Sequence, residues 1–253
     1  MDDDMQRYFL GQEAQISESH VLITGSDYHH ITHVMRMKPG DQVQVVIASI
    51  AYLAKITSLS EGKVELELVM QVQESSETSI SLTLLQGLPK GDKIDLVIRQ
   101  AAEIGVSQIV VFQAERSVVK IAAEKREAKL LRWRKIAKEA AELAQRTQIP
   151  QVQFAPSLEM ALSQLDPAAL LFMPYELQGG GLPTIKAVLQ AEQPTAAAFV
   201  IGPEGGFSEA EVDLATSVGG RLLTLGRRIL RTETAGLVVA SLLLYEWDQM
   251  GVN

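Results

Sequence analysis

From residue 80 onward, continuous apolar runs alternate with helical segments, and this rhythm limits the possible folds more than any other feature. The apolar runs predict strands at residues 80–86, 108–112, 168–173, 196–201 and 221–225. Helices are predicted at residues 92–104, 124–146, 182–191, 208–218 and 234–250. Strands that are apolar on both faces are typical of a parallel sheet covered by helices. We therefore predict an α/β domain with a mainly parallel sheet.

The first part of the chain follows a different pattern. Residues 43–47 and 52–58 are short apolar runs, and residues 63–70 alternate apolar and charged side chains, as half-buried strands do. One helix is predicted from Asp27 to about residue 37, where Pro39-Gly40 ends it. This pattern predicts a small β-barrel or sandwich.

A polar, serine-rich segment separates the two patterns. Residues 73–79 read QESSETS and are predicted to be a linker. The resulting division is residues 1–72 for the first domain and residues 80–253 for the second.

Composition excludes several kinds of chemistry. The chain has no cysteine, so it has no disulfide, iron–sulfur cluster or thiol nucleophile. Its four histidines are His20, His29, His30 and His33, and none forms a metalloprotease motif. No metal is expected. The sequence has no apolar run of about 18 residues and no signal-peptide pattern, so a cytoplasmic protein is expected.

Charge is distributed unevenly along the chain. The net charge is −8, yet residues 86–150 carry 13 basic and 8 acidic side chains. Salt screens charges that lie more than about 8 Å apart, so a local basic face is able to bind phosphate on an acidic protein. The alternative is a solvated helix face. The candidates for RNA contact in this region are Lys120, Lys125, Lys129 and Arg132.

The strongest local motif is FVIGPEGGFSE at residues 199–209. A buried strand leads into a glycine-rich turn, and a helix capped by Ser208 follows. Glycines let a backbone approach a ligand closely, and ligands of parallel sheets bind at the carboxyl ends of strands. Glu204 and Glu209 disfavour a phosphate, so a neutral or cationic ligand with an adenine and ribose fits better. The alternative is a simple tight turn.

A second strand end leads into a basic loop, TLGRRILRTETAG, at residues 224–236. Its arginines are able to clamp phosphate or another anion. The alternative for Arg231 is a structural pair with Glu233. At a third strand end, Tyr175 is a candidate for stacking a base and Glu176 for accepting a hydrogen bond. Glu142 and Arg146 are spaced to bridge on a helix surface.

Several motifs together resemble the RsmE family of ribosomal RNA methyltransferases, in the SPOUT superfamily. The resemblance extends over the chain from Met5, so residues 1–4 are expected to be an extension. The matching segments are residues 7–9 (RYF), 30–41, 88–93 (LPKGDK), 116–120 (RSVVK), 133–142, 201–206 (IGPEGG) and 229–235 (ILRTETA). Leu143 and Arg227 depart from the family pattern, which places rate or target affinity in question but not the fold.

The resemblance implies a fold and a reaction. It implies an N-terminal PUA-like β-barrel that binds RNA, an α/β domain with a C-terminal trefoil knot, and a homodimer. The implied reaction is methylation of uridine N3 in 16S ribosomal RNA of the small subunit by S-adenosylmethionine (SAM). The implied cofactor-binding residues are Phe172, Pro174, Tyr175, Glu176, Ile201, Gly202, Pro203, Glu204, Gly205, Gly206, Leu225, Gly226, Leu230, Arg231, Glu233, Thr234 and Ala235.

Methylation of a ring nitrogen agrees with the absence of cysteine, because no covalent enzyme intermediate is needed. A planar guanidinium suits the negative charge that N3 and its flanking carbonyls develop. The candidate catalytic residues are Arg231, Arg116, Glu142 and Arg146. On the barrel, Arg7 and Arg36 are candidates for RNA binding. Two rival functions are a non-catalytic RNA-binding protein and a methyltransferase acting on transfer RNA.

Overall fold

The structure is a computed structural model that describes residues 5–73, 76–176, 181–189 and 194–250. The predicted four-residue extension, two residues of the predicted linker (74–75) and the last two of the helix predicted at 182–191 lie outside the described residues. Contacts divide the chain into two units, residues 1–77 with 141–148, and residues 78–140 with 149–253.

Alternating apolar residues build a five-stranded sheet in the first unit. Its strands are β1 (Arg7–Leu10), β2 (His20–Ile23), β3 (Gln42–Ile47), β4 (Ile50–Ser60) and β5 (Lys63–Gln71). Their order is β1-β3-β4-β5-β2, with β1 parallel to β3 and the other pairs antiparallel. In β5, Val64 and Leu66 are fully buried whereas Lys63 is exposed. The alternation in the sequence thus correctly predicted a half-buried strand.

The helix of this unit differs from the prediction. Helix α1 spans Gly25–His29 with Thr24 as its N-cap, and it continues as a π-helical segment over His30–Val34. Arg36 follows with a left-handed φ of 55°, which ends the helical path before Pro39. The hydroxyl of Tyr8 lies 2.9 Å from Nδ1 of His30, so this histidine has a partner inside the unit.

Apolar strands build a six-stranded sheet in the second unit. Its strands are β6 (Ser81–Gly87), β7 (Gln108–Phe112), β8 (Gln151–Ala155), β9 (Leu170–Pro174), β10 (Ala196–Ile201) and β11 (Arg221–Leu223). The order is β11-β9-β10-β6-β7-β8, and all five pairings are parallel. The predicted α/β domain with a parallel sheet is confirmed.

Helices connect these strands. They are α2 (Lys93–Ile104), α3 (Ala123–Leu143), α4 (Leu158–Leu162), α5 (Ile185–Val188), α6 (Glu209–Ser217) and α7 (Thr232–Glu246). The chain proceeds from β6 toward one edge of the sheet and later fills the other side from β9 to β11. The direction of winding therefore reverses between β6 and β10. Ligands of open α/β sheets bind at such a reversal, outside the carboxyl ends of the strands.

Helix α3 differs from the prediction and contributes residues to both units. Helix α3 ends at Leu143 rather than at residue 146, because Gln145 takes a left-handed φ of 54°. Residues 141–148 then pack with the first unit, although the sequence placed them in the second domain. Strand β8 and helix α4 were not predicted, because Gln151 and Gln153 interrupt the apolar run of β8 and α4 makes little more than one turn.

Candidate functional site

A cavity of about 940 Å³ lies at the carboxyl ends of β9 and β10. Its floor and walls come from the glycine-rich loop after β10, the end of β9, and the segment that leads into α7. The lining residues are Lys93, Arg116, Pro174, Tyr175, Glu176, Ile201, Gly202, Pro203, Glu204, Gly206, Phe207, Glu209, Ile229, Leu230, Arg231, Thr232 and Ala235. This volume is at the upper end of the range for small-molecule sites, about 300–1,000 Å³.

The loop after β10 is fixed by the start of α6. Ser208 accepts a hydrogen bond from the N–H of Glu211, whose carboxylate accepts one from the N–H of Ser208. This reciprocal capping box holds the helix start, as the sequence predicted for Ser208. Glu211 also accepts a bond of 3.0 Å from the N–H of Glu115, so the cap reaches the segment after β7.

The glycines of this loop serve different purposes. Gly206 has a left-handed φ of 68°, and a Cβ there would meet nothing within 4 Å. A Cβ on Gly205 would lie 2.7 Å from the carbonyl oxygen of Arg116. The sequence had assigned both glycines to ligand approach. In the structure, Gly205 lets the Arg116 backbone approach the loop, and the space beside Gly206 stays open.

An ion-pair cluster on the cavity wall was missed by the sequence analysis. Nζ of Lys93 lies 2.9 Å from Oε1 of Glu204 and 3.3 Å from Oε2 of Glu233. The N–H of Lys90 also donates to the Glu204 carboxylate. The signal was present in the LPKGDK motif at residues 88–93, but nothing local connects it with residues more than 100 positions away.

The charges of this cluster stabilise one another. The hydrogen bond to Glu204 raises the pKa of Lys93 above its usual value. Burial alone would raise the pKa of Glu204, but hydrogen bonds from Lys93 and from backbone N–H groups lower it overall. Glu204 is therefore a carboxylate at neutral pH.

We expect Glu204→Gln to lower the free energy of unfolding by an amount that depends on pH. The lowered pKa of Glu204 means that its contribution is present above the unfolded value of about 4.5 and is lost as pH falls through the folded pKa. The raised pKa of Lys93 means that its contribution is lost only as pH rises through a value above about 10.5. Urea titrations should show a constant difference between variant and wild type from about pH 5 to about pH 9, and a smaller one below about pH 4. A difference that grows on acidification would contradict the pairing.

Most of the predicted catalytic and cofactor-binding residues line the cavity, and the others lie outside its lining. Of the candidate catalytic residues, Arg116 and Arg231 line the cavity, and so do ten of the predicted cofactor-binding residues besides Arg231. Outside the lining set are Phe172, Gly205, Leu225, Gly226, Glu233 and Thr234. Phe172 is fully buried in the core of the second unit. Lys93, Phe207, Glu209, Ile229 and Thr232 line the cavity without having been predicted.

The structure does not contain the alternative considered for Arg231, an ion pair with Glu233. Glu233 is paired with Lys93, not with Arg231. Arg231 is exposed and is the N-cap residue of α7, and its side chain makes no hydrogen bond or ion pair with the described residues. Arg231 therefore lines the cavity without a side-chain partner among the described residues.

Two of the predicted catalytic residues belong to the first unit. Arg146 is 2% exposed, and its Nη2 lies 2.6 Å from Oε2 of Glu77. Glu142 accepts a hydrogen bond of 3.3 Å from the N–H of Phe9. Both residues therefore have structural contacts here, and neither lines the cavity.

Arg7, a candidate for RNA contact, is buried within the first unit. It is 6% exposed, and its guanidinium donates to Gln44 and to the carbonyl oxygens of Gln145 and Arg146. Burial lowers its pKa, while Glu77 acts in the opposite direction. A guanidinium committed to these acceptors joins β1 to residues 141–148 and is not offered to a phosphate.

The other basic candidates lie at the surface. Arg36, Lys120, Lys125 and Lys129 are exposed. Arg132 is exposed as well, but it forms an ion pair with Asp95 of α2, which raises its pKa. Its charge is therefore partly neutralised within the second unit, whereas Lys125 and Lys129 make no ion pair with the described residues.

Comparison with known proteins gives the family. Residues 76–244 match the model of the RNA methyltransferase domain, and residues 23–69 match that of the RNA methyltransferase PUA domain. The chain belongs to the RNA methyltransferase family. It is therefore an enzyme with an α/β methyltransferase core and a PUA domain.

Relatives of this RNA methyltransferase extend over nearly its whole length. Ribosomal RNA small subunit methyltransferase E of Bacillus subtilis is 38% identical, covering 96% of this chain and 98% of the relative. The protein of the same name from Synechocystis is 30% identical over 88% of this chain and 72% of its own. The Neisseria gonorrhoeae ribosomal RNA small subunit methyltransferase E, solved with S-adenosyl methionine bound, has a TM-score of 0.84 at 27% identity, covering 96% of this chain and 98% of that one.

Two further observations concern the described residues only. No group of three or more histidine, aspartate or glutamate side chains among them is arranged to hold a metal ion. Within the same residues, no helix has the length and apolar character to cross a membrane.

Proposed function

We propose that this RNA methyltransferase transfers a methyl group from SAM to N3 of a uridine in 16S ribosomal RNA of the small subunit. The observation that carries the proposal is the cavity at the reversal of the sheet, in a chain whose relatives are ribosomal RNA small subunit methyltransferases. SAM supplies an electrophilic methyl group on a cationic sulfonium. Isothermal calorimetry with SAM tests the cofactor: binding with a stoichiometry of one per chain supports it, and no binding at millimolar SAM contradicts it.

The residues present fit such a cofactor. Ile201, Phe207 and Leu230 give the cavity apolar walls that suit an adenine, and Glu176, Glu204 and Glu209 give it negative charge that suits a sulfonium. Oε2 of Glu233 is buried without a hydrogen bond, although it lies 3.3 Å from Nζ of Lys93. This contact is an ion pair, and it contributes to raising the pKa of Lys93.

Arg116 and Arg231 are proposed to bind the uracil and to stabilise its N3 anion. Both line the cavity from different segments, one after β7 and one at the start of α7. Charge leaving N3 spreads to the two flanking carbonyl oxygens, which accept hydrogen bonds from guanidinium groups. Because base pairing hides N3, the target uridine must be unpaired or turned out of a helix.

We propose that residues 1–72 form a PUA-like β-barrel that binds RNA, with Arg36 as one contact, and that residues 73–79 link it to the methyltransferase domain at 80–253. The five-stranded sheet and the match to the PUA model support this division. Lys120, Lys125 and Lys129 are proposed as further RNA contacts, in the methyltransferase domain at and before the start of α3.

Reversing Lys125 and Lys129 to glutamate should weaken RNA binding and leave SAM binding unchanged. Each lost phosphate contact reduces the salt slope of log K by about 1. Filter binding with 16S RNA fragments at several salt concentrations measures this slope, and Lys186→Glu controls for the reversal of an exposed lysine outside α3. If the double variant retains the affinity and slope of wild type, these lysines form only a solvated helix face.

We further propose that the C-terminal part forms a trefoil knot. The N–H of Tyr175 donates to the carbonyl of Leu223, and the N–H of Thr224 donates to the carbonyl of Pro183. The segment that leaves β11 is therefore flanked on both sides by the connection from β9 to β10. Helix α7 then lies against β6 and β10, in the middle of the sheet. These two hydrogen bonds and the position of α7 support the proposed knot.

A homodimer acting in the cytoplasm completes the proposal. Helix α7 leaves Leu242 and Tyr245 exposed, at 38% and 71%, as an intersubunit contact would require. Analytical ultracentrifugation tests it: a species of twice the chain mass supports the dimer, and a monomer at micromolar concentration contradicts it. Ribosomal RNA of the small subunit, the proposed substrate, is a cytoplasmic molecule in bacteria.

A further inference from the structure

A buried chain of hydrogen bonds joins the end of β6, the loop after β10 and the first residue of α7. Gln86 is fully buried, and its Nε2 donates to the carbonyl of Gly87 at 2.8 Å and to Oγ1 of Thr232 at 2.9 Å. Oγ1 of Thr232 in turn lies 2.6 Å from the carbonyl oxygen of Gly202. Thr232 is itself only 7% exposed. The hydroxyl of Thr232 thus joins Gln86, which lies 146 positions away in the sequence, to Gly202, which lies 30 positions away.

The direction of these bonds is determined by the chemistry of the groups. The Gly87 carbonyl only accepts, so the amide atom of Gln86 that faces it must be the nitrogen. That NH₂ group also donates to Thr232, which occupies a lone pair of the hydroxyl oxygen. The single proton of Thr232 is then directed to the carbonyl of Gly202. Only a residue that both accepts and donates at this point satisfies both neighbours.

The chain of bonds reaches the cavity at two points. Thr232 and Gly202 both line it, and they lie on the two segments proposed to hold the cofactor. Oε1 of Gln86 makes no hydrogen bond with the described residues, although it is buried. A Cβ on Gly236 of α7 would lie 3.9 Å from this oxygen, so the helix passes directly over the glutamine. A buried glutamine that leaves one acceptor unsatisfied costs stability, so a core role alone does not explain it.

We propose that Gln86 and Thr232 are positioning residues that fix the Gly202 loop against the start of α7, and so preform the cofactor site. The inference rests on the proposed function, because it takes the two segments to be cofactor loops. Preformed sites bind more tightly because the loop does not have to be ordered on binding. Without the Thr232 hydroxyl, the carbonyl oxygen of Gly202 loses the hydrogen bond that it accepts. This bond then no longer connects the loop to the start of α7.

The test compares three variants of the full-length protein. Thr232→Val removes the hydroxyl while keeping the branched shape, and Thr232→Ser keeps the hydroxyl. Thr216→Val is the matched control, because Oγ1 of Thr216 also donates to a backbone carbonyl, that of Val212 at 2.8 Å, but within α6 and outside the cavity lining. Calorimetry measures the Kd for SAM, and hydrogen–deuterium exchange of the free protein measures protection of residues 202–206.

We expect Thr232→Val to raise the Kd for SAM about tenfold or more, and to accelerate exchange at residues 202–206 in the absence of SAM. Thr232→Ser should restore both, and Thr216→Val should change neither. A Kd and an exchange rate like those of wild type in folded Thr232→Val would overturn the inference. An equal loss in Thr232→Val and Thr216→Val would overturn it too. Wild-type protein that binds no SAM would instead contradict the proposed function.

Discussion

Arg231→Met should lower kcat for RNA methylation about a hundredfold or more, with little change in the Kd for SAM. Arg231 lines the cavity, and its guanidinium has no hydrogen bond or ion pair with the described residues. It is therefore available to stabilise the N3 anion of uracil. Single-turnover methylation at rising pH is the measurement. The deficit should shrink as pH approaches the pKa of uridine N3, because the base then ionises without help from the enzyme.

The neighbouring Arg228→Met is the matched control for Arg231→Met. Arg228 lies on the same loop and is exposed, but it does not line the cavity. It should retain nearly the full rate. Two results would contradict this role. The loss of methylation rate in Arg231→Met would stay constant with pH, or Arg228→Met would show the same loss. Either result would mean that the positive charge of the loop serves a purpose other than stabilising the N3 anion. Arg116→Met, measured in the same way, establishes whether the two arginines share the role.

Arg146→Met should lower the free energy of unfolding by about 3–5 kcal/mol. The substitution removes the guanidinium that pairs with Glu77 and so leaves a largely buried carboxylate without this partner. The side chains of Arg146 and Glu77 are 3% and 13% exposed. Glu77 also accepts hydrogen bonds from the N–H groups of Thr147 and Gln148, so the pair secures residues 141–148. Chemical denaturation followed by circular dichroism gives the loss.

Arg134→Met is the control for the Arg146 experiment. Arg134 lies 3.7 Å from Glu127, but both side chains are at least half exposed, so the loss of this pair should change stability little. The catalytic assignment of Arg146 makes the opposite prediction. A folded Arg146→Met protein of wild-type stability with a large drop in kcat would support catalysis and contradict the structural role.

The sequence predicted well the features that depend on neighbours along the chain. The bounds of strands β7 and β10 match the predicted residues 108–112 and 196–201, because each is an apolar run with clear ends. The Ser208 cap follows from local chemistry too, since a serine followed by a glutamate three residues later satisfies two free N–H groups. The glycine loop and the arginine loop were located on the same basis.

Contacts between distant residues were not predictable in this way. The pairing of Lys93 with Glu204 and Glu233 depends on β6 and β10 lying side by side, which the order of motifs along the chain does not reveal. The burial of Arg7 likewise depends on residues that are distant in the sequence. Its charge indicated a surface contact, but carbonyls almost 140 residues away bury it. A knot is rare among folds, so only the family resemblance suggested one.

Nucleoside analysis of methylated RNA tests the central claim most directly. Small subunits from a strain that lacks this enzyme would be incubated with the purified protein and SAM, and the 16S RNA digested and examined by mass spectrometry. The account predicts one new 3-methyluridine, at a single position, which is absent from reactions without SAM. A methyl group on uracil C5, on a ribose or on transfer RNA alone, or no methylation of 16S RNA, would contradict it.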